Sequence, residues 1–298
     1  MSRYSLTRAM ERLSRPARIV AVLAAALAAC APLPPAANQT AGQAVSQDSP
    51  QAPAPVAVHR ADGPLPVPPN LTVLTQPAGQ KRLMATAHKQ SYWPLSQYFE
   101  TQRNEAYCSV ATSVMVLNAL GIRRPASTLY PDFPYFSQED FFRGIDPQVA
   151  NAAQVSKEGM TLDQLSAALN AFPVEVKAFH ASDLTLGQFR DLIRDTTSHS
   201  DRFALLNFRR VEIGEAGGGH WSPLAAYDAA SDSALLLDVA RYKYPAAWVP
   251  VTQLYAAALA VDTVSGISRG IVIVGSRTNQ GFSRPAGAAD CPATTGGH

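Results

Sequence analysis

Apolar residues recur at helical spacing in the run CSVATSVMVLNAL, where Val110, Val114, Met115 and Leu117 repeat, and Gly121 stands where a glycine closes a helix. This predicts a helix over 108–120. A second helix is expected from Thr161, with Gln164 three residues on completing a capping box ahead of the apolar positions of TLDQLSAALN. A third is expected over 185–194, where Leu186, Phe189, Leu192 and Ile193 are apolar. Then the pattern changes. Residues 203–208 (FALLNF), 221–227 and 234–239 read as strands, the last two joined by the turn-rich DAASDS at 228–233. The run IVIV at 271–274 reads as a buried strand. Helices first and strands later predict an α+β class with an antiparallel sheet, in a single domain over 79–280 followed by a polar tail at 281–298.

Before that domain the pattern is different. Ten of the 23 prolines fall between residues 31 and 70, a density that excludes a helix or a packed sheet there. Upstream, five arginines (Arg3, Arg8, Arg12, Arg15, Arg18) precede an apolar run of about 11 residues at 19–29. The run is too short to cross a hydrocarbon core of about 30 Å but suits the h-region of a signal peptide. It ends Leu27-Ala28-Ala29-Cys30, which resembles a bacterial lipobox. The resemblance implies a signal peptide at 1–29, lipidation of Cys30, and a tether over 30–78. Ala31 after the cysteine implies an anchor in the outer membrane or periplasm. Plain secretion is the competing reading.

Taking away the five arginines and Glu11 turns the formal +2 of the whole chain to −2. Without clustered Lys and Arg, the domain is a poor match for nucleic acid. Three cysteines (Cys30, Cys108, Cys291) build no disulfide framework. Nothing in the pattern fixes an oligomeric state.

Candidate chemistry sits at three separated places. Cys108 opens the first helix, where unpaired N–H groups and the positive end of the dipole favour a thiolate. Taken alone, it reads more readily as an inert buried thiol. His220 follows Gly217-Gly218-Gly219 at the head of a strand, and glycines there let backbone approach a ligand closely. Asp238 closes an apolar strand, an unusual place for an unpartnered acid. If Asp228 pairs with Ser233, a regular hairpin leaves His220 and Asp238 three residues out of line. A bulge near Pro223 would bring them together. Cys, His and Asp make a nucleophile, a base and an orienting acid, in the papain-like order. Gln102 offers an amide N–H for an oxyanion hole beside the Cys108 backbone N–H.

These residues carry a resemblance. YFETQRNEAYC ending at Cys108, GHWSPLAAY from Gly219, and LDVARYKYPAAWVP from Leu237 are similar to the active-site blocks of phytochelatin synthases, in the same order, within a likeness spanning residues 90–276. The resemblance implies a papain-like fold and a triad of Cys108, His220 and Asp238, with Gln102 on the oxyanion. It implies glutathione as substrate, a γ-glutamylcysteinyl thioester on Cys108 and release of glycine. Asp262 and Arg269, in VDTVSGISRG, match the acid and the arginine that take the γ-glutamyl end, and Arg241 matches a further arginine near the site. No resident cofactor and no metal site are implied. A heavy metal such as Cd²⁺ or Zn²⁺ would enter as a glutathione thiolate, which links the family to metal detoxification.

Plant members carry a C-terminal Cys-rich extension, whereas here the sequence after Val274 is a polar tail with Cys291. Ser109 stands where a glycine commonly follows the nucleophile. Hydrolysis to γ-glutamylcysteine is therefore expected over transfer to a second glutathione. The alternatives are a papain-like peptidase of exported peptides and an inactive thiol- or metal-binding lipoprotein, in which Cys108 and His220 would ligate a soft metal.

Overall fold

The computed structural model describes residues 63–122, 131–133 and 135–277. All belong to the second of the two units into which the chain divides, His59–His298. Short elements come first: β1 (Thr72–Val73), α1 (Pro77–Ala85) and α2 (Tyr92–Gln97). Helices α3 (Cys108–Ala119), α4 (Ala152–Glu158) and α5 (Leu162–Leu169) follow. Then come β2 (Val174–His180), α6 (Leu186–Thr197), β3 (Arg202–Arg209), β4 (Gly219–Asp228), β5 (Ser233–Leu236), β6 (Ala247–Pro250), α7 (Val251–Leu259) and β7 (Gly270–Ser276). The strands form one sheet in the order β1-β6-β5-β4-β3-β7-β2, with every described pairing antiparallel.

The class is α+β, as the pattern predicts, but the order is less clean. Helices α6 and α7 are interleaved with the strands and pack on the face opposite α3 and α5. Phe203 and Leu205 of β3 join the core under α3, while Ala204, Leu206 and Phe208 join the core under α6 and α7. Covering both faces explains why this strand reads as an unbroken apolar run rather than an alternation.

The three expected helices form. Gly121 has φ +66°, and the Ile122 N–H reaches Leu117 O while the Gly121 N–H reaches Asn118 O. That is a Schellman closure, which a glycine accommodates without Cβ strain. Thr161 and Gln164 make the expected capping box, and Thr185 and Gln188 make a second one at α6. Eleven of the twelve residues of α3 are buried, so the helix is a central pillar rather than an amphipathic surface element.

The folded domain starts earlier than residue 79, where the tether was expected to end. Leu71 is buried, and Thr72 and Val73 pair with Trp248 and Ala247 at the sheet edge. The prolines at 64–69 are compatible with this because they precede the strand and displace no ladder hydrogen bond. The expected signal peptide at 1–29, Cys30, and the expected tail at 281–298 with Cys291 lie outside the described residues. No described helix is long and apolar enough to cross a membrane.

Candidate active site

Asn104 sets the approach to the nucleophile. Its side-chain oxygen accepts from the Ala106 N–H at 2.9 Å, and its carbonyl accepts from the Tyr107 N–H at 3.2 Å. This Asx turn delivers the chain into α3 with Cys108 as the first helical residue, 6% exposed. The thiol therefore sits at the positive end of a buried helix, beside backbone N–H groups that have no intrahelical acceptor.

The β4–β5 hairpin supplies the other two groups. Asp228 pairs with Ser233, and a bulge between Leu224 and Ala226 shifts the register. It lies two residues beyond Pro223 but moves the pairing by one residue only, and the rest of the three-residue mismatch is made up where the chain leaves the ladder after Leu236. The Leu237 N–H then reaches Pro223 O, and Asp238 falls just beyond the end of β5. His220 Nε2 and Asp238 Oδ1 are 3.0 Å apart, with both residues buried. This leaves the other imidazole nitrogen for Cys108, whose side chain hydrogen-bonds that of His220.

Charge at this site follows from the partners. Burial alone pushes the Cys108 thiol up, but the charge and hydrogen bond of His220, with the backbone at Trp221 and Ser109, bring it below the usual thiol value. Burial pulls the His220 imidazole down, Asp238 pulls it up and Arg210 opposes, and the outcome lies above the usual value. Asp238 is held well below the carboxylate range despite burial, by His220 and Arg210. The three directions agree on a thiolate–imidazolium pair steadied by a carboxylate.

Sequence reasoning missed the group behind the triad. Arg210, in the 3-10 turn after β3, donates Nη1 to Asp238 Oδ2 at 2.6 Å and Nη2 to Oδ1 at 2.9 Å. It also pairs with Glu215. An arginine in the charged run RRVEIGE reads as surface, and only the fold turns it under the strand ends.

Cys108 and His220 open onto a cleft of about 480 Å³. Its walls include Asn104 and Glu105 before α3, Lys157 and Glu158 at the end of α4, and Asn207, Asp262 and Arg269. Arg269 Nη1 donates to Asp262 Oδ2 at 3.0 Å and to Asn207 Oδ1 at 3.2 Å. Its Nε is buried without a partner among the described residues. Burial holds the guanidinium below its usual value, against the pull of Asp262. The guanidinium lies over Gly219, where an added Cβ would meet its atoms at 2.5–2.7 Å. Gly219, directly before His220, thus admits an arginine side chain into the cleft wall. Asn207 was not expected. Its signal is a lone amide in the apolar run FALLNF.

Two expected positions do not line the cleft. Arg241 is exposed, stacked 4.6 Å over the Phe99 ring and bonded to Phe99 O at 3.3 Å, and it is not part of the cleft wall. Its planar cation finds an aromatic face closer at hand. Gln102 is buried behind the cleft, with Nε2 donating to Asn104 O at 2.9 Å and to Tyr242 Oη at 3.1 Å. Both amide hydrogens are engaged, so serving an oxyanion requires one to be released. Among the described residues there is no cluster of three or more His, Cys, Asp or Glu side chains able to hold a metal.

Comparisons with known proteins point to one family. The family model described as phytochelatin synthase matches residues 63–271. The chain is 30% identical over 217 residues to glutathione gamma-glutamylcysteinyltransferase 3 of Lotus japonicus, covering 70% of this chain and 43% of that protein. It is 32% identical over 223 residues to glutathione gamma-glutamylcysteinyltransferase 1 of Triticum aestivum (72% and 42%), and 27% identical to the Schizosaccharomyces pombe enzyme of that name over 195 residues (65% and 45%). The chain thus spans less than half the length of these relatives. Among solved structures, a Prevotella intermedia prointerpain A fragment overlaps with a TM-score of 0.33 at 12% identity, covering 68% of this chain and 75% of that one, a likeness too slight to bear on the fold. With the family model covering residues 63–271 and the triad assembled inside that span, the chain belongs to the phytochelatin synthase family.

Proposed function

We propose that this domain cleaves the Cys–Gly bond of glutathione through a γ-glutamylcysteinyl thioester on Cys108. The observation that carries this reading is one cleft lined both by the hydrogen-bonded Cys108 and His220 and by a paired acid and arginine, Asp262 and Arg269. The γ-glutamyl end of glutathione is a zwitterion. Asp262 suits its α-ammonium, and the unpartnered Arg269 Nε suits its α-carboxylate. The Cys108 Sγ attacks the cysteinyl carbonyl carbon, and the C–N bond to glycine breaks as the His220 imidazolium gives its proton to the departing amine. The Cys108 backbone N–H meets the oxyanion, joined by Gln102 if it releases a partner. His220, now neutral, takes a proton from the acceptor that attacks the thioester, and Asp238 keeps the ring oriented through both steps.

Water is the favoured acceptor in this reading, giving γ-glutamylcysteine. Transfer to the α-amine of a second glutathione, as in phytochelatin synthesis, is the minor route, with Cd²⁺ or Zn²⁺ acting only through metal-bound glutathione as acceptor. The domain works at the outer membrane or periplasm, tethered through lipidated Cys30. Labelling with a clickable fatty acid that is lost in Cys30→Ser supports that placement, and labelling that persists excludes it.

The enzymatic test is product analysis by mass spectrometry at several glutathione concentrations, with and without Cd²⁺, beside α-linked peptides as competitors. Glycine and γ-glutamylcysteine should dominate, and α-linked peptides should be poor substrates. Polymers dominating at low glutathione without metal would make the domain a synthase. Equal rates on α- and γ-linked peptides would make it a general peptidase. No glycine release at all would leave an inactive thiol-binding protein.

A further inference from the structure

Asp238 serves two cations at once. It accepts from His220 on one side and takes the fork of Arg210 on the other, while the Ala240 N–H adds a bond of 2.8 Å to Oδ1. Arg210 is itself divided, because the Nη1 that meets Asp238 Oδ2 also donates to Glu215 Oε2. All four side chains are at most 4% exposed. The Arg210 guanidinium is flanked by the rings of Phe208 and Tyr244, 5.8 and 5.3 Å away. One buried cation therefore lies between two carboxylates, and one of those carboxylates orients the catalytic base. Neither Arg210 nor Glu215 is part of the cleft wall.

The charge balance gives the arrangement a consequence. With Glu215 ionised, Asp238, Arg210 and Glu215 together carry −1, which favours a positive charge on His220. With Glu215 neutral, Asp238 and Arg210 cancel, and the imidazolium keeps the Cys108 thiolate as counter-charge but loses that excess of negative charge. We propose that Glu215 is a positioning residue that governs the protonation of His220: by drawing on Arg210 it leaves more of the Asp238 charge for the imidazolium and so keeps the Cys108–His220 ion pair intact. Burial, opposed by Arg210 and reinforced by Asp238, pushes the Glu215 carboxyl up to about 7. Near that pH the balance changes with small changes in proton concentration.

The other groups facing this cluster are few. Cys108 faces His220 from α3. After β5, Tyr242 interacts with both Arg210 and Asp238, and the Tyr244 hydroxyl accepts from the Ala216 N–H at 2.7 Å. A Cβ added at Gly217, which has φ +127°, would meet both Lys243 Nζ and Arg210 Cδ at 3.0 Å. The Lys243 ammonium therefore lies beside the stem of Arg210. It is common to every variant below.

The inference rests on the thiolate–imidazolium pair but not on glutathione being the substrate, so the test avoids substrate. Alkylation of Cys108 by iodoacetamide is followed from about pH 4 to about pH 10, read by mass spectrometry on the Cys108 peptide, giving two apparent pKa values that belong to the coupled pair. Glu215→Gln should lower the upper value, where the imidazolium loses its proton, by about 1 pH unit, with the lower value falling less. Arg210→Gln, which leaves two buried carboxylates unbalanced, should move the upper value the opposite way. Opposite shifts are a signature that packing does not produce, and if Glu215→Gln does not fold, Glu215→Asp, which keeps the carboxylate, should hold the upper value near that of the wild type, a fall of about 1 pH unit there counting against the proposal. An upper value in Glu215→Gln that matches the wild type, with only the melting temperature changed, would overturn the proposal. A failure of glycine release in the wild type with the shifts intact would instead count against the substrate assignment.

Discussion

Around Asp238 the charged groups are matched, whereas Arg269, which lies against Gly219 in the wall of the same cleft, keeps one nitrogen open among the described residues. Asp238 accepts from His220, from both Arg210 nitrogens and from the Ala240 N–H. Arg269 is held on one nitrogen by Asp262 and Asn207, yet its Nε is buried without a partner. The surroundings differ in the same sense. His220 and Asp238 lie against β4 and the end of β5, deep in the sheet. Asp262 and Arg269 stand at the two ends of a surface hairpin whose Val261, Val264 and Ile267 are exposed. A saturated network holds geometry for chemistry, while a buried donor without an acceptor is a site prepared for one. The first group should therefore govern turnover and the second binding.

The largest effect is expected in the saturated network. His220→Ala or Asp238→Ala should lower kcat by about 10³–10⁴ with KM for glutathione little changed, and the double variant should be scarcely worse than either single. Steady-state kinetics check this. A double variant much slower than both singles would mean that the two act separately. Arg269→Gln should act in the opposite way, raising KM about 10- to 100-fold, since a hydrogen bond to a charged group is worth about 1.5–3 kcal/mol. A pure kcat loss there would erase the contrast between the two groups.

A finer test uses neighbouring glycines. A Cβ at Gly219 would collide with the Arg269 guanidinium, whereas at Gly218 it would meet nothing within 4 Å. Gly219→Ala should displace the arginine and raise KM by about 10-fold or more, and Gly218→Ala should leave kinetics unchanged. Equal effects would mean that Arg269 is not seated on Gly219 in the working enzyme.

The smallest effect concerns stability. The folded-state value of Glu215 is raised to about 7, so its contribution is fully present below the unfolded value near 4.3 and is lost as pH rises towards 7. Asp238 is depressed, so its contribution is present at neutral pH and is lost as pH falls below about 4. Glu215→Gln should flatten the fall in melting temperature between about pH 5 and about pH 8, leaving the acid limb to Asp238. An unchanged slope would show that Glu215 titrates as it does in the unfolded chain.

Much of the saturated network was legible in the sequence because its signals are local. A cysteine opening an apolar helix, the turn pairing Asp228 with Ser233, and the three-residue mismatch that called for a bulge all lie within short windows. Arg210 and Glu215 were not legible, because they sit in a charged run that reads as surface and Asp238, the group that draws Arg210 inward, lies 28 positions away. Strand β2 was missed because as an edge strand it is half exposed and carries Glu175 and Lys177. Helix α7 begins after Pro250 without a side-chain cap, so no start signal marks it. The resemblance to a known family supplied Asp262 and Arg269, which share the cleft, and also Arg241, which does not. A motif carries residue identity, but which face of the chain a long arginine takes is decided by the nearest aromatic ring or carboxylate.

The central claim is that Cys108 carries the acyl group in a cleft that reads the γ-glutamyl end. The most direct measurement is rapid quench of the protein with glutathione, followed by mass spectrometry of the Cys108 peptide and assay of free glycine from the same samples. The account predicts a γ-glutamylcysteinyl adduct on Cys108 that appears in step with one equivalent of glycine, and the loss of both in Cys108→Ala. Glycine release that persists in Cys108→Ala would contradict it.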